Sequence, residues 1–313
     1  MILVRVSSSS YFFALPIQAL QFDDAAHFCE EALAIHAEHR PPGSVEEATD
    51  RRLMALILAG NGEYELALEH LVLANASLTK HSRDEDVAAI DSNIGDMYAA
   101  LGRYDEAVFS YRKSINMYKS IIGDNHMKVA YVYTSLAELF VTIGKHRDAK
   151  IHCESAVRIY GHPNAGYLPG ELASGLADIA RVYINMNERE KALMFLQRAF
   201  EVLDGIPGHQ ADVVGIEGQL GVLYYSLERF EESFMAFKDA ILKLREAGQD
   251  RSPLLGMLLN QMALTCIGLD EIEQAAKALE EAKTIFEGVS GPHHNDTLAV
   301  SSNLAGVYDA LGR

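Results

Sequence analysis

The sequence is poor in basic residues, in cysteine and in long apolar runs. Its 313 residues carry 27 Lys and Arg against 44 Asp and Glu, a formal net charge of −17. Because like charges repel, this balance disfavours nucleic acid and anionic membranes and favours basic partners. No apolar run approaches the roughly 18 residues that a membrane-spanning helix needs, so membrane insertion is not expected.

The residues that usually carry chemistry are also sparse or badly placed. The three cysteines, Cys29, Cys153 and Cys266, have no close pair and fall on inward-facing helix positions, which indicates a reduced, cytosolic protein. There is no Gly-rich phosphate loop followed by Lys-Ser or Lys-Thr. His126 and His294 lie at equivalent places in two loops and are expected to be turn and cap residues rather than metal ligands. We therefore expect no enzymatic activity, catalytic residue, metal or cofactor.

What the sequence does contain is a repeated unit of about 42 residues. The unit is clearest over 93–114, where Ile94, Gly95 and Tyr98 share one helix face, Gly102 ends that helix, and Ala107 opens the packing face of a second helix. Small residues recur where the first helix crosses the second: Ala55, Gly95, Ala137, Ala180, Gly221, Ala263 and Ala305.

Two further markers travel in the same register. The turn between the two helices is marked by Gly62, Gly102, Gly144, Asn187, Glu228, Asp270 and Gly312. The small residue of the second helix is Ala25, Ala67, Ala107, Ala149, Ala192, Ser233 and Ala275. A tyrosine follows the first-helix marker by three positions in four repeats, as Tyr98, Tyr183, Tyr224 and Tyr308.

These markers predict an all-α tetratricopeptide-repeat solenoid, a right-handed superhelix of helical hairpins. We expect an atypical or disordered start over 1–20, for which a short signal peptide is the alternative, and a repeat array over 21–313. Within the array we expect an orphan helix over 22–39, five full hairpins from about 45 to 287, and an unpaired last helix over 298–311. Ser44 and Glu47 have the spacing of a capping box at the start of the first full hairpin.

In such a solenoid the exposed side of each first helix lines a groove that recognises a partner segment. Asn side chains there can bond a peptide backbone, and the aromatic and aliphatic side chains offer apolar contacts. Taking the register from Gly95, the groove positions are predicted to be Arg52, Ser92, Asn93, Asp96, Tyr131, Thr134, Glu138, Arg181, Asn185, Tyr225, Met257, Asn260, Leu264, Ser302 and Asn303.

Several stretches resemble one family. The long repeat, the loops at 123–126 and 291–297 and the helix at 302–308 resemble kinesin light chains. The stretches at 18–25, 46–54 and 103–109 resemble the plant kinesin light chain-related proteins, also called cellulose synthase–microtubule uncoupling proteins.

The resemblance implies a non-enzymatic scaffold at cortical microtubules during cellulose synthesis, in the cytoplasm and cytoskeleton of a plant cell. Its implied partners are basic calmodulin-binding IQ67-domain proteins and, through them, microtubules. A kinesin light chain-like cargo adaptor that binds kinesin heavy chain is one alternative. A chaperone cofactor is another, although it needs Lys, Arg and Asn on adjacent first helices, and this groove offers only Arg52 and Arg181, three repeats apart. A regulatory or catalytic subunit is the remaining alternative.

Overall fold

The computed structural model describes residues 18–39, 41, 43–162 and 167–312, and every regular element in those ranges is an α-helix. The expectation for residues 1–17 lies outside the described residues. The helices are α1 (Gln18–His39), α2 (Val45–Gly60), α3 (Tyr64–Lys80), α4 (Asp84–Ala100), α5 (Tyr104–Ile122), α6 (Met127–Thr142), α7 (His146–Gly161), α8 (Pro169–Asn185), α9 (Arg189–Leu203), α10 (Gln210–Ser226), α11 (Phe230–Glu246), α12 (Pro253–Gly268), α13 (Ile272–Ser290) and α14 (Asn295–Ala310).

Each even-numbered helix from α2 to α12 packs against the helix that follows it, which gives six hairpins in the described ranges. That is one more hairpin than the five predicted, and six of the predicted turn markers, from Gly62 to Asp270, each join a first helix to a second. Helix α1 begins at Gln18, earlier than predicted. Helix α14 begins at Asn295 rather than at residue 298, because the side chain of His294 caps it.

The helices fall into two compact units, which divide between Tyr167 and Leu168. Unit 1 contains α1 to α7 and unit 2 contains α8 to α14. The sequence analysis predicted one array over 21–313. The repeat markers do keep their register past the division, so the two units are built from the same kind of hairpin.

The crossing of the two helices in a hairpin is closed by the predicted small residues. A Cβ atom placed on Gly95 would lie 2.7 Å from the ring of Tyr111, and one placed on Gly221 would lie 2.6 Å from the ring of Phe237. The alanines at the other crossings are almost fully buried: Ala55, Ala67, Ala107, Ala137, Ala149, Ala180, Ala192, Ala263 and Ala275. These contacts confirm the register that the markers predict.

Ala305 is the exception among the predicted core residues, because its side chain is exposed. In the part of the chain that the structure describes, α14 packs on α13, and no helix covers the side of α14 that carries Ala305. Tyr308 is half-buried and its hydroxyl donates to Oε1 of Glu280 at 2.6 Å. Tyr183 is buried against Phe195, with the ring centroids 5.4 Å apart.

The turn inside each hairpin uses a left-handed backbone conformation. All seven predicted turn residues have positive φ: Gly62, Gly102, Gly144, Asn187, Glu228, Asp270 and Gly312. Glycine adopts this conformation without steric cost, whereas a residue with a Cβ atom is strained there. The aromatic residue before the turn stacks on an arginine beyond it, with the guanidinium of Arg103 4.5 Å from the ring of Tyr98 and that of Arg229 4.8 Å from the ring of Tyr224.

Side-chain caps begin several first helices. Ser44 accepts a hydrogen bond from the backbone N–H of Glu47 at 3.2 Å, as the capping box predicts. The carboxylate of Glu47 reaches back to the N–H of Gly43 at 2.7 Å, one residue before the cap. Nδ1 of His126 and of His294 accepts from the N–H two residues further on, which confirms their prediction as cap residues.

We expect Gly102→Ala to lower the free energy of unfolding by about 1 to 2 kcal/mol, because alanine is strained at φ 73°. The added Cβ atom meets nothing within 4 Å, so strain is the only cost. The matched control is Gly215→Ala, inside α10 and equally free of neighbours, which should stabilise the protein by about 0.5 to 1 kcal/mol. Urea midpoints that shift in the same direction for both variants would contradict this account.

Candidate partner-binding face

The candidate site is the exposed side of the first helices of the hairpins, which we call the first-helix face. In unit 1 these helices are α2, α4 and α6, and in unit 2 they are α8, α10, α12 and α14. Most predicted groove residues are at least partly accessible, with Asn185, Tyr225 and Ser302 exposed. The half-buried members are Arg52, Asn93, Asp96, Tyr131, Glu138, Arg181, Met257, Asn260, Leu264 and Asn303.

Two groove predictions are wrong. Ser92 and Thr134 occupy the same position of successive repeats and each is only 3% exposed. A residue three positions before the crossing residue lies within about 60° of it around the helix, so the neighbouring helices cover a short side chain there. The longer side chains of Arg52 and Asn260 occupy the same position and are half-buried. The hydroxyl of Thr134 bonds the carbonyl of Ala130 in its own helix, at 3.0 Å. Neither side chain is presented to a partner.

In unit 1 the first-helix face carries a polar network that joins the first helices α2 and α4 to the second helix α5. Nε of Arg52 in α2 donates to Oδ1 of Asn93 in α4 at 3.3 Å, and Asn93 also bonds Asp96. The hydroxyl of Tyr111, which comes from α5, donates to Oδ1 of Asp96 at 2.6 Å. These residues hold one another in place, so the face is ordered before any partner arrives.

The carboxyl of Asp96 has a strongly shifted acidity. Burial raises its pKa from 3.8 to about 7, the hydrogen bond from Tyr111 opposes that rise, and the negative charge of Glu138 adds to it. Burial and the charge of Asp96 also raise the pKa of Tyr111 well above its usual range. The carboxyls of Asp96 in α4 and Glu138 in α6 thus form an acidic pair between neighbouring first helices.

Unit 2 repeats the link between neighbouring first helices at the same register. Nδ2 of Asn303 in α14 donates to Oδ1 of Asn260 in α12 at 2.9 Å, the counterpart of the Arg52–Asn93 contact. The guanidinium of Arg181 donates to Oδ1 of the buried Asp178 at 3.0 Å. Tyr225, Met257 and Leu264 give this face apolar surface, and Tyr225 packs edge-on against Phe230 with the ring centroids 5.5 Å apart.

Charge is divided unevenly between the two kinds of helix. The first helices of unit 1 contain nine Asp and Glu against three Lys and Arg, and those of unit 2 contain six against one. The second helices α3, α5 and α7 contain six acidic residues against seven basic ones. The second helices α9, α11 and α13 contain ten acidic residues against eight basic ones. The negative charge of these hairpins is therefore concentrated on their first helices.

Two buried ion pairs beneath this face were not predicted. Lys113 contacts the buried carboxylate of Asp91 at 2.9 Å, and Lys243 contacts that of Glu217. Burial raises the pKa of each carboxyl and the partner lysine opposes the rise. Asp91 and Glu217 both stand four residues before the crossing glycine, so an acidic residue at an inward-facing position of two repeats was the signal in the sequence.

Three further observations bear on function. Among the described residues no group of three His, Cys, Asp or Glu side chains is placed to hold a metal ion. No helix in the described ranges is both long and apolar enough to cross a bilayer. Cys29, Cys153 and Cys266 are buried, as predicted, and burial raises the pKa of the Cys29 and Cys266 thiols to about 11.

The helical hairpins, their crossing residues and their left-handed turns define a tetratricopeptide-repeat protein. A family model described as "Tetratricopeptide repeat" matches residues 86–161 and 254–313. The crystal structure of BtubC (BKLC) from P. vanneervenii superposes with a TM-score of 0.56 at 19% identity, over 68% of this chain and 83% of that one. This likeness concerns the fold alone.

Among curated proteins, KINESIN LIGHT CHAIN-RELATED 3 of Arabidopsis thaliana is 48% identical over 297 residues, which cover 95% of this chain and 46% of the relative. KINESIN LIGHT CHAIN-RELATED 2 of the same plant is 47% identical over 299 residues, 95% of this chain and 45% of the relative. The chain belongs to the family of kinesin light chain-related proteins, and it spans about half the length of these relatives.

The acidity of Asp96 predicts a pH-dependent effect on stability. An acid whose pKa is higher in the folded state costs stability once the pH exceeds its unfolded value of 3.8, and the full cost is reached above about 7. We therefore expect Asp96→Asn to raise the urea midpoint more at pH 8 than at pH 5.

A carbon-detected NMR titration of the Asp96 carboxyl should give a midpoint near 7. The exposed Asp105 on α5 supplies the control, since Asp105→Asn should change the urea midpoint equally at both pH values. An Asp96 carboxyl that titrates near 4 would contradict the prediction.

Proposed function

We propose that this chain is a non-catalytic scaffold whose first-helix face binds a basic segment of a partner protein. The observation that carries the proposal is the concentration of acidic residues on the first helices, while the second helices are close to neutral. Complementary charge selects partners and speeds their encounter more than it adds raw affinity. The family of the chain supports the same class of function, because repeat proteins bind partner segments along one face.

The acidic pair of unit 1 is the centre of the proposed contact. Asp96 and Glu138 stand on neighbouring first helices, and the negative charge of one opposes ionisation of the other. A Lys or Arg side chain placed between them would relieve that repulsion and favour the ionised form of Asp96. Binding of a basic segment is then coupled to the release of a proton from Asp96 near neutral pH.

The cellular setting follows from the family. Relatives named kinesin light chain-related proteins support a role at the cytoskeleton. We propose that the basic partner is a calmodulin-binding IQ67-domain protein that links the chain to cortical microtubules, where the scaffold helps to hold them during cellulose synthesis. A chain with a net charge of −17 has little direct attraction for an acidic surface such as that of tubulin, so a basic adaptor suits the charge balance.

A charge-neutral variant of the acidic pair tests the binding proposal. We expect Asp96→Asn/Glu138→Gln to weaken the binding of a fluorescein-labelled Lys-rich peptide about tenfold at pH 8 and about 0.15 M salt. For the wild type, lowering the pH from 8 to 6 should also weaken binding, because Asp96 takes up a proton over that range. Fluorescence anisotropy measures both effects.

The matched control removes the same two charges from the second helices of the same hairpins. Asp105→Asn/Glu154→Gln alters exposed residues of α5 and α7 and should leave the affinity within about twofold of the wild type. If both double variants weaken the peptide equally, only net charge matters and the first-helix site is wrong. If Asp96→Asn keeps the pH dependence of the wild type, the proton-linked contact is wrong.

Co-sedimentation with microtubules tests the cellular role. We expect the chain alone to stay in the supernatant and to pellet when a basic IQ67-domain protein is added, because the adaptor supplies the charge that tubulin attracts. Raising the salt concentration should release the chain. Capture of kinesin heavy chain in the absence of the adaptor would favour the cargo-adaptor alternative instead.

A further inference from the structure

A second concave surface lies on the opposite kind of helix in unit 2. It is a cleft of about 280 Å³ between the second helices α11 and α13, with the first helix α12 contributing to its lining. Its lining includes Phe234, Lys238 and Arg245 of α11, Met262 of α12, and Lys277 and Glu281 of α13. None of these residues belongs to the first-helix face described above.

The cleft is lined by apolar side chains that lie against the core of unit 2. Phe234 and Met262 are half-buried and pack against the core cluster, to which Ile241 and Leu259 belong. Two neighbouring helices with an apolar surface between them form the kind of groove into which a partner helix lays its own apolar face. The floor of the cleft therefore suits an amphipathic helix.

The charged residues of the cleft are mostly basic. Lys238 of α11 and Lys277 of α13 are exposed and make no hydrogen bond or ion pair in the structure. Glu281 is the one acidic residue of the lining, and the guanidinium of Arg245 binds both of its carboxylate oxygens, at 2.8 and 2.9 Å. That contact links α11 to α13 and neutralises the glutamate. Two ammonium groups are left to face a partner.

The position of Lys277 is unusual for the repeat. Two residues after the second-helix marker, the four second helices α5, α7, α9 and α11 carry an exposed apolar side chain instead: Phe109, Ile151, Met194 and Met235. At the same position α13 has a lysine, and Lys238 faces the cleft from α11. Lys277 is therefore a local departure from the pattern, in a chain whose overall charge is −17.

We propose that the cleft between α11 and α13 is a second binding site, which takes an acidic amphipathic helix from a partner protein. The apolar side chains of that helix would contact Phe234 and Met262, and its carboxylates would pair with Lys238 and Lys277. Because most of the molecule repels an acidic segment, the two lysines confine such a partner to this cleft. The scaffold then has two faces of opposite preference, basic segments on the first helices and an acidic helix on these second helices.

The probe is a fluorescein-labelled peptide of about 15 residues, long enough to form a helix, with Leu along one helical face and Glu at the other positions. We expect the full chain to bind this peptide at about 0.15 M salt. Lys238→Glu/Lys277→Glu should weaken that binding by a factor of about ten or more, because both ion pairs become repulsive. In a methyl NMR titration of the wild type, the methyl resonance of Met262 should move as the peptide binds.

The control variant is Arg112→Glu, at the position in α5 that corresponds to Lys238, and it should leave the affinity within about twofold. Thermal unfolding of each variant confirms that it is folded. Absence of binding up to millimolar peptide, equal binding by the double variant, or a Met262 resonance that does not move would overturn the proposal. Self-association of the chain that the double variant abolishes would also overturn it, by assigning the cleft to a second copy.

The proposals for the two binding sites can be tested independently of each other. Asp96→Asn/Glu138→Gln should not weaken the Glu-rich peptide, and Lys238→Glu/Lys277→Glu should not weaken the Lys-rich one. A Glu-rich peptide that loses affinity in the Asp96 variant would place its contact on the first-helix face and contradict the assignment to the cleft.

Discussion

The close approach of two helices at one small residue is the constraint on which the rest of the hairpin depends. Glycine stands opposite an aromatic ring at Gly95 and Tyr111, and again at Gly221 and Phe237, where a Cβ atom would overlap the ring. In other repeats an alanine takes the place of the glycine, and a side chain smaller than an aromatic ring takes the place of the ring. Cys153 corresponds to the ring in the repeat of Ala137, and Leu196 in the repeat of Ala180. The absence of a side chain at Gly95 and Gly221 thus makes room for the opposing ring, as a close-packed interior requires.

The same crossing connects the core to the first-helix face. Because Gly95 has no side chain, the ring of Tyr111 passes beneath α4 and its hydroxyl reaches Asp96 on the far side, at 2.6 Å. A change at this packing residue would move the carboxyl that we propose as a partner contact, although the packing residue itself touches no partner. Stability and recognition are physically coupled in this hairpin.

Local rules predicted much of this architecture, because turns and caps depend on residues that are close in sequence. The seven turn positions could be found from one register, including Glu228 and Asp270, where no glycine marks the left-handed conformation. The features that the repeat pattern did not predict each involve more than one helix. They are the contact of Arg52 with Asn93, the burial of Ser92, and the cleft between α11 and α13. Such features depend on the angle and spacing of neighbouring helices, which a repeat pattern leaves open.

The two glycine-containing hairpins show how one packing solution serves two chemistries. In unit 1 the ring over Gly95 is a tyrosine and the next first-helix residue is Asp96, so the hydroxyl has a carboxylate to bond. In unit 2 the ring over Gly221 is Phe237 and the residue after the glycine is Val222, so neither a donor nor an acceptor is present. A buried hydroxyl without a partner would cost free energy, and an acidic residue without that donor would lose the bond that favours its charged form. The tyrosine and the aspartate of this hairpin therefore support each other.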